Sequence, residues 1–213
     1  MFNHSTIFTN KHAAYEAKCK KMFVGQTIQK LIYGEIDYHT AKKKNFIGLP
    51  ESCKTIYNEI DTIDIAFYLK TDKQLICISW DTMFTCFGLR ADVQEKTQGI
   101  NDFEKKWDVS KNKKWKPFVG LKIVDFKIMW LESQLNTVKS SIRPTLSPQT
   151  FKITTENNKS IYITAAEINE CTLDYSMQAD NLLVTDNYIL IENLETTSHS
   201  QMINSEQSMT SYM

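Results

Sequence analysis

The chain has 213 residues, of which 42% are hydrophobic and 23% charged, a composition typical of a globular protein with a sizeable core. Six Gly and four Pro exclude collagen-like and proline-rich classes, and no apolar run reaches the roughly 18 residues that a membrane-spanning helix needs. The net charge is zero, but residues 1–116 carry +5 and residues 117–213 carry −5, which indicates oppositely charged surfaces on the two parts of the chain.

The N-terminal segment is predicted to contain a helix. Asn10 is a residue type that caps helices, and Tyr15, Cys19 and Met22 follow it at the spacing of one helical face. We therefore expect a helix over Lys11–Phe23 that packs through this face. The first 25 residues contain no apolar segment of the kind found in secretory signals, so the expected location is the cytoplasm.

Two parts of the chain resemble each other. The stretch Phe23–Ile28 reads Phe-Val-Gly-x-x-Ile, and so does Phe118–Ile123. A second pair of matching blocks follows in the same order, with Phe67–Ser79 in the first part and Phe151–Thr164 in the second. Because both matches occur in the same order, the sequence predicts an internal duplication.

Apolar and polar residues alternate with a period of two inside these blocks, as they do in half-buried strands. In the first copy, the alternation on either side of residues 71–74 predicts a hairpin, and residues 156–159 supply a similar turn in the second copy. In the second copy the alternation changes parity near Val124 and Asp125, which predicts a β-bulge.

The predicted fold class is α+β and mainly antiparallel, with two meander-like β repeats packed together and a few short helices. The predicted segments are an N-terminal helix at 1–22, β repeat 1 at 23–95, a helical and basic connector at 96–116, β repeat 2 at 117–194 and a disordered tail at 195–213. Within repeat 2, the apolar stretches Leu182–Val184 and Tyr188–Ile191 predict a further strand or hairpin.

The connector combines lysine with tryptophan. Asn101 and Asp102 are capping residue types, and Phe103 and Trp107 stand four residues apart, so a short helix is predicted here. Basic residues interleaved with Trp favour nucleic-acid binding as one function, with a patch formed by Lys105, Lys106, Trp107, Lys113, Lys114 and Trp115. The same pattern is also typical of Trp residues that pack on a sheet while lysines stay in water, and this second interpretation is preferred.

No pattern in the sequence predicts catalysis or a cofactor. The five cysteines form no CxxC pair, the four histidines lack metal-ligand spacing, and no Gly-rich phosphate-binding loop occurs. Glu35 and Glu132 each follow an aromatic residue at corresponding places in the two repeats, but strand-end glutamates are usually solvated. The sequence therefore predicts a non-enzymatic protein without cofactor or metal.

Several short stretches together resemble small cytoplasmic bacterial proteins, some of them similar to immunity proteins of polymorphic or contact-delivered toxin systems. The stretches are Ile76–Asp81, Gly120–Ile123 with the later Trp130, Ile163–Glu167 and Ala179–Val184. The resemblance covers residues 20–192 in outline. It implies a protein that acts by binding and occluding a toxin, and it assigns no individual residue.

The expected partner is therefore another protein, and the sequence leaves the oligomeric state open. Toxins that act on nucleic acid have basic active sites, so an inhibitor would cover them with acidic groups. The acidic second half provides such groups, and the predicted partner-binding residues are Glu156, Glu167, Glu170, Asp174 and Asp180.

Overall fold

The structure is a computed structural model that describes residues 8–37, 59–84, 87–95, 104–135, 143–168 and 175–193. It contains one longer helix, α1 (Asn10–Phe23). The strands are β1 (Ile28–Ile36), β2 (Asp61–Ile63), β3 (Ala66–Thr71), β4 (Leu75–Asp81), β5 (Gly88–Gln94), β6 (Glu104–Asp108), β7 (Ile123–Leu135), β8 (Arg143–Thr155), β9 (Ser160–Ile168) and β10 (Tyr175–Thr185).

The strands form two five-stranded antiparallel sheets. Sheet 1 has the order β5-β4-β3-β1-β6, and sheet 2 has the order β2-β10-β9-β8-β7. Each sheet contains a four-stranded meander from one half of the chain, and each meander gains a fifth strand from elsewhere. The predicted mainly antiparallel α+β fold of two packed meanders is confirmed.

The two meanders share the same register. In the first, Ile28 pairs with Thr71, and the pairing then shifts by one residue so that Lys30 lies opposite Lys70. In the second, Ile123 pairs with Thr155 and the same shift follows, at the position where the sequence predicted a bulge near Val124. A bulge adds one unpaired residue and increases the local twist, so both first strands bend at equivalent points.

The shared register corrects one correspondence that the sequence suggested. Tyr33 of β1 pairs with Phe67, and the equivalent pair in sheet 2 is Ile128 with Phe151. Counting from these pairs, Glu35 corresponds to Trp130 and not to Glu132. The two glutamates are therefore not equivalent, because the aromatic-x-Glu triplets lie two residues out of step with the backbone pairing.

A single large core fills the space between the two sheets. Strand residues that point inward from both sheets are fully buried in it, and the end of α1 adds Phe23. The Phe23 ring stacks on Phe126 of β7 with centroids 4.5 Å apart, and Phe151 of β8 meets Phe126 edge-on at 5.2 Å. Aromatic pairs of this geometry add to the hydrophobic free energy of burial, so α1 is tied to sheet 2 although it precedes sheet 1 in the chain.

Helix α1 buries the face predicted from its sequence, including Tyr15, Cys19 and Met22. The Tyr15 hydroxyl donates to the Leu89 carbonyl at 2.9 Å and accepts from an amide of β5, which fixes the helix on sheet 1 as well. The predicted cap is wrong by one residue: the helix begins at Asn10, so Thr9 is the N-cap. The Thr9 backbone N–H donates to Nδ1 of His12 at 3.0 Å.

The predicted helix in the connector is wrong where the structure describes it. Residues 104–108 form strand β6, which pairs with β1 and places Trp107 opposite Tyr33. Hydrogen bonding to the open edge of β1 outweighs the helical spacing of the aromatic residues. Residues 96–103, with the predicted caps Asn101 and Asp102, and the tail 195–213 lie outside the described residues.

A further correction concerns Tyr188–Ile191, predicted as a strand or hairpin. Residues 188–193 instead form a short helix on the outer side of sheet 2. Asn187 starts it, because its side-chain oxygen accepts the Ile189 N–H at 3.0 Å, as helix-capping asparagines do. Ile191 is buried against the outward-facing Leu183 and Tyr162 of the sheet. This packing leaves the other side of the short helix in solvent.

Candidate protein-binding surface

The predicted acidic residues lie at opposite ends of sheet 2. Glu156 is in the β8–β9 turn, whereas Glu167 is near the far end of β9, about 23 Å away at the usual rise of a strand. Asp180 lies near Glu167, in a stretch of β10 that bulges out between Met177 and Leu182. All three are exposed. Glu170 and Asp174 lie outside the described residues.

Glu156 has a structural role. Its side-chain Oε1 accepts the Lys122 N–H at 3.2 Å, and its own N–H donates to the Lys122 carbonyl at 2.9 Å. The carboxylate therefore closes the turn against the start of β7. Its exposed side still contributes negative charge to this end of the sheet.

The end of sheet 2 that contains Glu156 also exposes two large apolar side chains. Tyr188 is 43% exposed and Ile189 is 63% exposed. Ile189 is the most exposed large hydrophobic residue of the described part of the chain. With Ile191 packed against the sheet, Ile189 is left largely in solvent, and Tyr188 is half-exposed with its ring 5.6 Å from that of Tyr162. Tyrosine is enriched among the residues that contribute most to binding energy, so this adjacent pair is a candidate contact point for another protein.

Acidic side chains lie at the same end of sheet 2. We call the surface the acidic end, and it consists of Glu59, Glu156, Asp186, Tyr188, Ile189 and Glu192, all exposed. Glu59 is held in place because its carboxylate accepts a hydrogen bond from the Asn187 side chain, at 2.5 Å, and its carbonyl accepts one from Thr185, at 2.7 Å. The four carboxylates outnumber the three lysines at this end of the sheet, Lys122, Lys152 and Lys159.

Lys152 orders the aromatic side of the acidic end. Its ammonium lies 5.7 Å from the Tyr162 ring centroid and 5.8 Å from that of Tyr188, and the two rings are 5.6 Å apart. A cation over aromatic rings contributes about 0.5–1 kcal/mol at exposed sites. Contacts with Lys152 and Tyr162 therefore restrict the positions of the Tyr188 ring. This restriction lowers the conformational entropy that is lost when a partner binds.

The predicted nucleic-acid patch is divided by the fold. Trp115 is fully buried in the core, where its indole N–H donates to the Asp61 carboxylate at 3.3 Å. Lys114 forms an ion pair with Asp61 at 3.0 Å, and the Tyr33 hydroxyl donates to the same carboxylate at 2.6 Å. Neither Trp115 nor Lys114 is therefore available to a nucleic acid.

The other members of that patch lie on or beside edge strand β6. Trp107 is partly buried against the core, with the Lys105 ammonium 4.6 Å from its ring centroid. Lys106 lies on the opposite face, 3.8 Å from the ring centroid of the buried Tyr68, and burial lowers the pKa of its ammonium. Lys113 is exposed. Three of these four side chains thus contribute to the packing of β6. The preferred interpretation expects the Trp residues to pack and the lysines to stay in water, whereas Lys106 and Lys114 are partly buried.

The two cysteines that the structure describes are buried thiols. Burial raises the pKa of Cys19 to about 11 and that of Cys77 to about 12. A thiol with such a pKa is protonated at neutral pH, so neither is an activated nucleophile. Glu35 is also buried, and its carboxylate accepts the Asp64 N–H at 3.4 Å, which ties β1 to the segment after β2.

Within the described ranges, no group of three or more His, Cys, Asp and Glu side chains is placed to hold a metal ion. No helix in those ranges is long and apolar enough to cross a membrane. Comparisons of the chain with protein-family models, with curated proteins and with solved structures found no match.

Proposed function

We propose that this chain acts by binding another protein through the acidic end, as an immunity-type inhibitor that occludes a basic toxin in the bacterial cytoplasm. The observation that carries the proposal is the pair Tyr188 and Ile189, exposed by 43% and 63%, at the end of sheet 2 that also carries four exposed carboxylates. The sequence predicts a partner on the acidic half, at Glu156, Glu167, Glu170, Asp174 and Asp180, and only Glu156 of these belongs to the acidic end. The apolar pair is missed from sequence because Tyr188–Ile191 is predicted as a strand or hairpin.

The chemistry of the acidic end favours a partner with a basic surface and an apolar depression. Tyrosine is enriched among residues that contribute most to binding energy, and a ring of polar groups around it excludes water. The carboxylates of the acidic end would steer a basic partner toward the surface, an effect on the association rate that weakens as salt increases. An inhibitor of a nucleic-acid-cleaving toxin needs both properties.

The test uses the purified full chain and the protein encoded by the neighbouring reading frame, with binding measured by calorimetry and by protection of cells that express that protein. We expect Tyr188→Ala to weaken binding by about 30-fold or more, the effect of losing a residue worth about 2 kcal/mol. Val93→Ser is the matched control, because Val93 is 47% exposed on β5, in the other sheet. It should leave binding unchanged.

Charge-reversal variants test which end of sheet 2 the partner contacts. Asp186→Lys should slow association at low salt, whereas Glu167→Lys, at the far end of β9, should have little effect. If Glu167→Lys abolishes binding and Tyr188→Ala does not, the partner contacts the opposite end of sheet 2, and the assignment of the binding surface to the acidic end is wrong. Binding of single-stranded DNA that weakens steeply with salt and is lost on Lys113→Glu would instead support the nucleic-acid alternative.

A further inference from the structure

We infer that this chain is a fused dimer, in which two copies of one β repeat are related by a two-fold axis. The inner face of each repeat is an interaction surface, and its partner is the inner face of the other repeat in the same chain. The inference goes beyond the proposed function and does not depend on it. It rests on the hydrogen bonds at the place where the two Phe-Val-Gly-x-x-Ile motifs meet.

The inner bonds of this contact are reciprocal. The Ile28 N–H donates to the Leu121 carbonyl at 2.9 Å, and the Ile123 N–H donates to the Gln26 carbonyl at 2.8 Å. The Gly25 N–H donates to the Ile123 carbonyl at 2.9 Å, and the Gly120 N–H donates to the Ile28 carbonyl at 2.8 Å. Exchanging residues 25–28 with residues 120–123 converts each bond into another bond of the set. This exchange is the definition of an isologous interface, the kind that two identical subunits form.

The outer bonds obey the same exchange. The Thr27 N–H donates to the Asp72 carboxylate at 2.7 Å, and the Lys122 N–H donates to the Glu156 carboxylate at 3.2 Å. The Asp72 and Glu156 N–H groups return bonds of 2.9 Å to the Thr27 and Lys122 carbonyls. Both side-chain acceptors are carboxylates, one from Asp and one from Glu, so the two halves share the acceptor chemistry as well as the backbone bonds.

Two glycines make the contact possible. Gly25 has a φ of +84° and Gly120 a φ of +87°, a conformation that side chains disfavour. Each glycine turns the chain out of a helical segment, α1 in one case and the short 3-10 helix Lys116–Phe118 in the other, and into the first strand of its meander. Equivalent turns, equivalent bulges and equivalent hairpins would not be required if the halves had become similar only in sequence.

Neither half can bury its apolar face alone, because the core lies between the two sheets. Each sheet also takes its fifth strand from outside its own meander. Strand β2, from the first half, pairs with β10, and β6, which follows β5 in the chain, pairs with β1. The buried ion pair between Asp61 and Lys114 joins these added segments. The two halves are therefore expected to stay together without a covalent connection.

The experiment places a specific protease site in the full-length chain within residues 96–103, between β5 and β6, and cleaves the folded protein. A control protein carries the site within residues 136–142, between β7 and β8, and is cut inside the second repeat. Both uncut proteins must first show the wild-type melting temperature. Each cut protein is then analysed by gel filtration, unfolded in urea and returned to buffer.

We expect the fragments cut at 96–103 to elute together at the wild-type volume and to regain at least half of the native circular-dichroism signal after refolding. Their melting temperature should rise with concentration, as it does for two associating chains. The control should recover several-fold less, because its cut divides the second meander and leaves β7 in one fragment and β8–β10 in the other. Separation of the 96–103 fragments before refolding, or equal recovery of both cut proteins, would overturn the inference.

Discussion

The inner faces of the two halves resemble each other more closely than their outer faces do. On the inner side, Phe67 and Phe151 occupy the same position in their meanders and are both fully buried. On the outer side, the residue after each is different: Tyr68 is a buried tyrosine covered by a lysine of β6, and Lys152 is a lysine that lies over tyrosines. Shared packing has kept the inner faces alike, while each outer face has acquired its own contacts.

This difference separates the closed faces of the molecule from the surface that we propose binds a partner. The inner faces satisfy each other and are closed to any partner. On the outer face of sheet 1, Lys106 of β6 covers the Tyr68 ring. The acidic end of sheet 2, in contrast, exposes Tyr188 and Ile189 to solvent. A partner can therefore distinguish the two halves only by features that the duplication does not share.

The largest expected effect comes from the shared core. Phe67→Ala and Phe151→Ala should each lower the free energy of unfolding by about 3–5 kcal/mol, because each creates a cavity in the same core. Urea unfolding should show a single transition in both variants. A biphasic curve in which one sheet survives would mean that the halves are independently stable, and it would break the equivalence of the inner faces.

The next effect concerns the asymmetric anchor between β2 and the connector. Asp61→Ala should destabilise the protein by about 3–5 kcal/mol, because it leaves the Lys114 ammonium buried without its counter-charge. Asp61→Asn should cost less, since its side-chain oxygen still accepts from Tyr33. The double change Asp61→Leu with Lys114→Met should also cost less than Asp61→Ala. If Asp61→Ala has no effect on thermal unfolding, the anchor does not contribute to stability.

A smaller and equal effect is expected at the two glycines. A Cβ at Gly25 or Gly120 would meet no atom within 4 Å, so the cost of alanine comes from the positive φ alone. We expect Gly25→Ala and Gly120→Ala each to lower stability by about 1–2 kcal/mol. Asparagine, which tolerates this conformation, should lower it less. Costs that differ by several kcal/mol would show that the two turns are not equivalent.

The smallest effect is a dependence on pH that belongs to one half only. Burial lowers the pKa of His12 from its usual 6.5, opposed by the Leu146 carbonyl and reinforced by the charge of Lys11. Its Nδ1 accepts the Thr9 N–H at the start of α1, which requires this nitrogen to be unprotonated. The unfolded chain therefore takes up the proton first as pH falls, and stability present above about pH 6.5 is lost between 6.5 and the lower folded pKa.

This pH dependence is measured by urea unfolding between pH 8 and pH 5. The variant His12→Phe keeps the ring contacts with Phe84 and Trp130 but cannot be protonated, so its stability should change less over this range. An identical pH profile in His12→Phe would assign the effect to other groups.

The sequence was sufficient for features set by local pattern. The hairpins, the bulge near Val124 and the buried face of α1 follow from the spacing of apolar residues, which burial enforces directly. It was not sufficient for β6, an edge strand in which Lys105, Lys106 and Trp107 show no alternation because both faces are partly covered. Its edge position depends on pairing with a strand some 70 residues earlier.

The candidate site was predicted only in part, for the same reason. Charge along the chain correctly indicated an acidic second half, but antiparallel strands separate Glu156 from Glu167 by the length of β9. The four apolar residues Tyr188–Ile191 are too few for periodicity to distinguish strand from helix. The capping bond from Asn187 decides between them, and Asn before an apolar run was the signal that could have been used.

Hydrogen exchange of the native protein tests the central claim most directly, namely that the two halves meet as a two-fold pair. The amide hydrogens of Ile28 and Ile123 donate across the contact at 2.9 and 2.8 Å, in equivalent positions. The account predicts that both exchange at the slowest rates in the protein and within a few-fold of each other, since both open only on global unfolding. Exchange of one amide 100-fold faster than the other would show that the contact opens from one side, and it would contradict the claim.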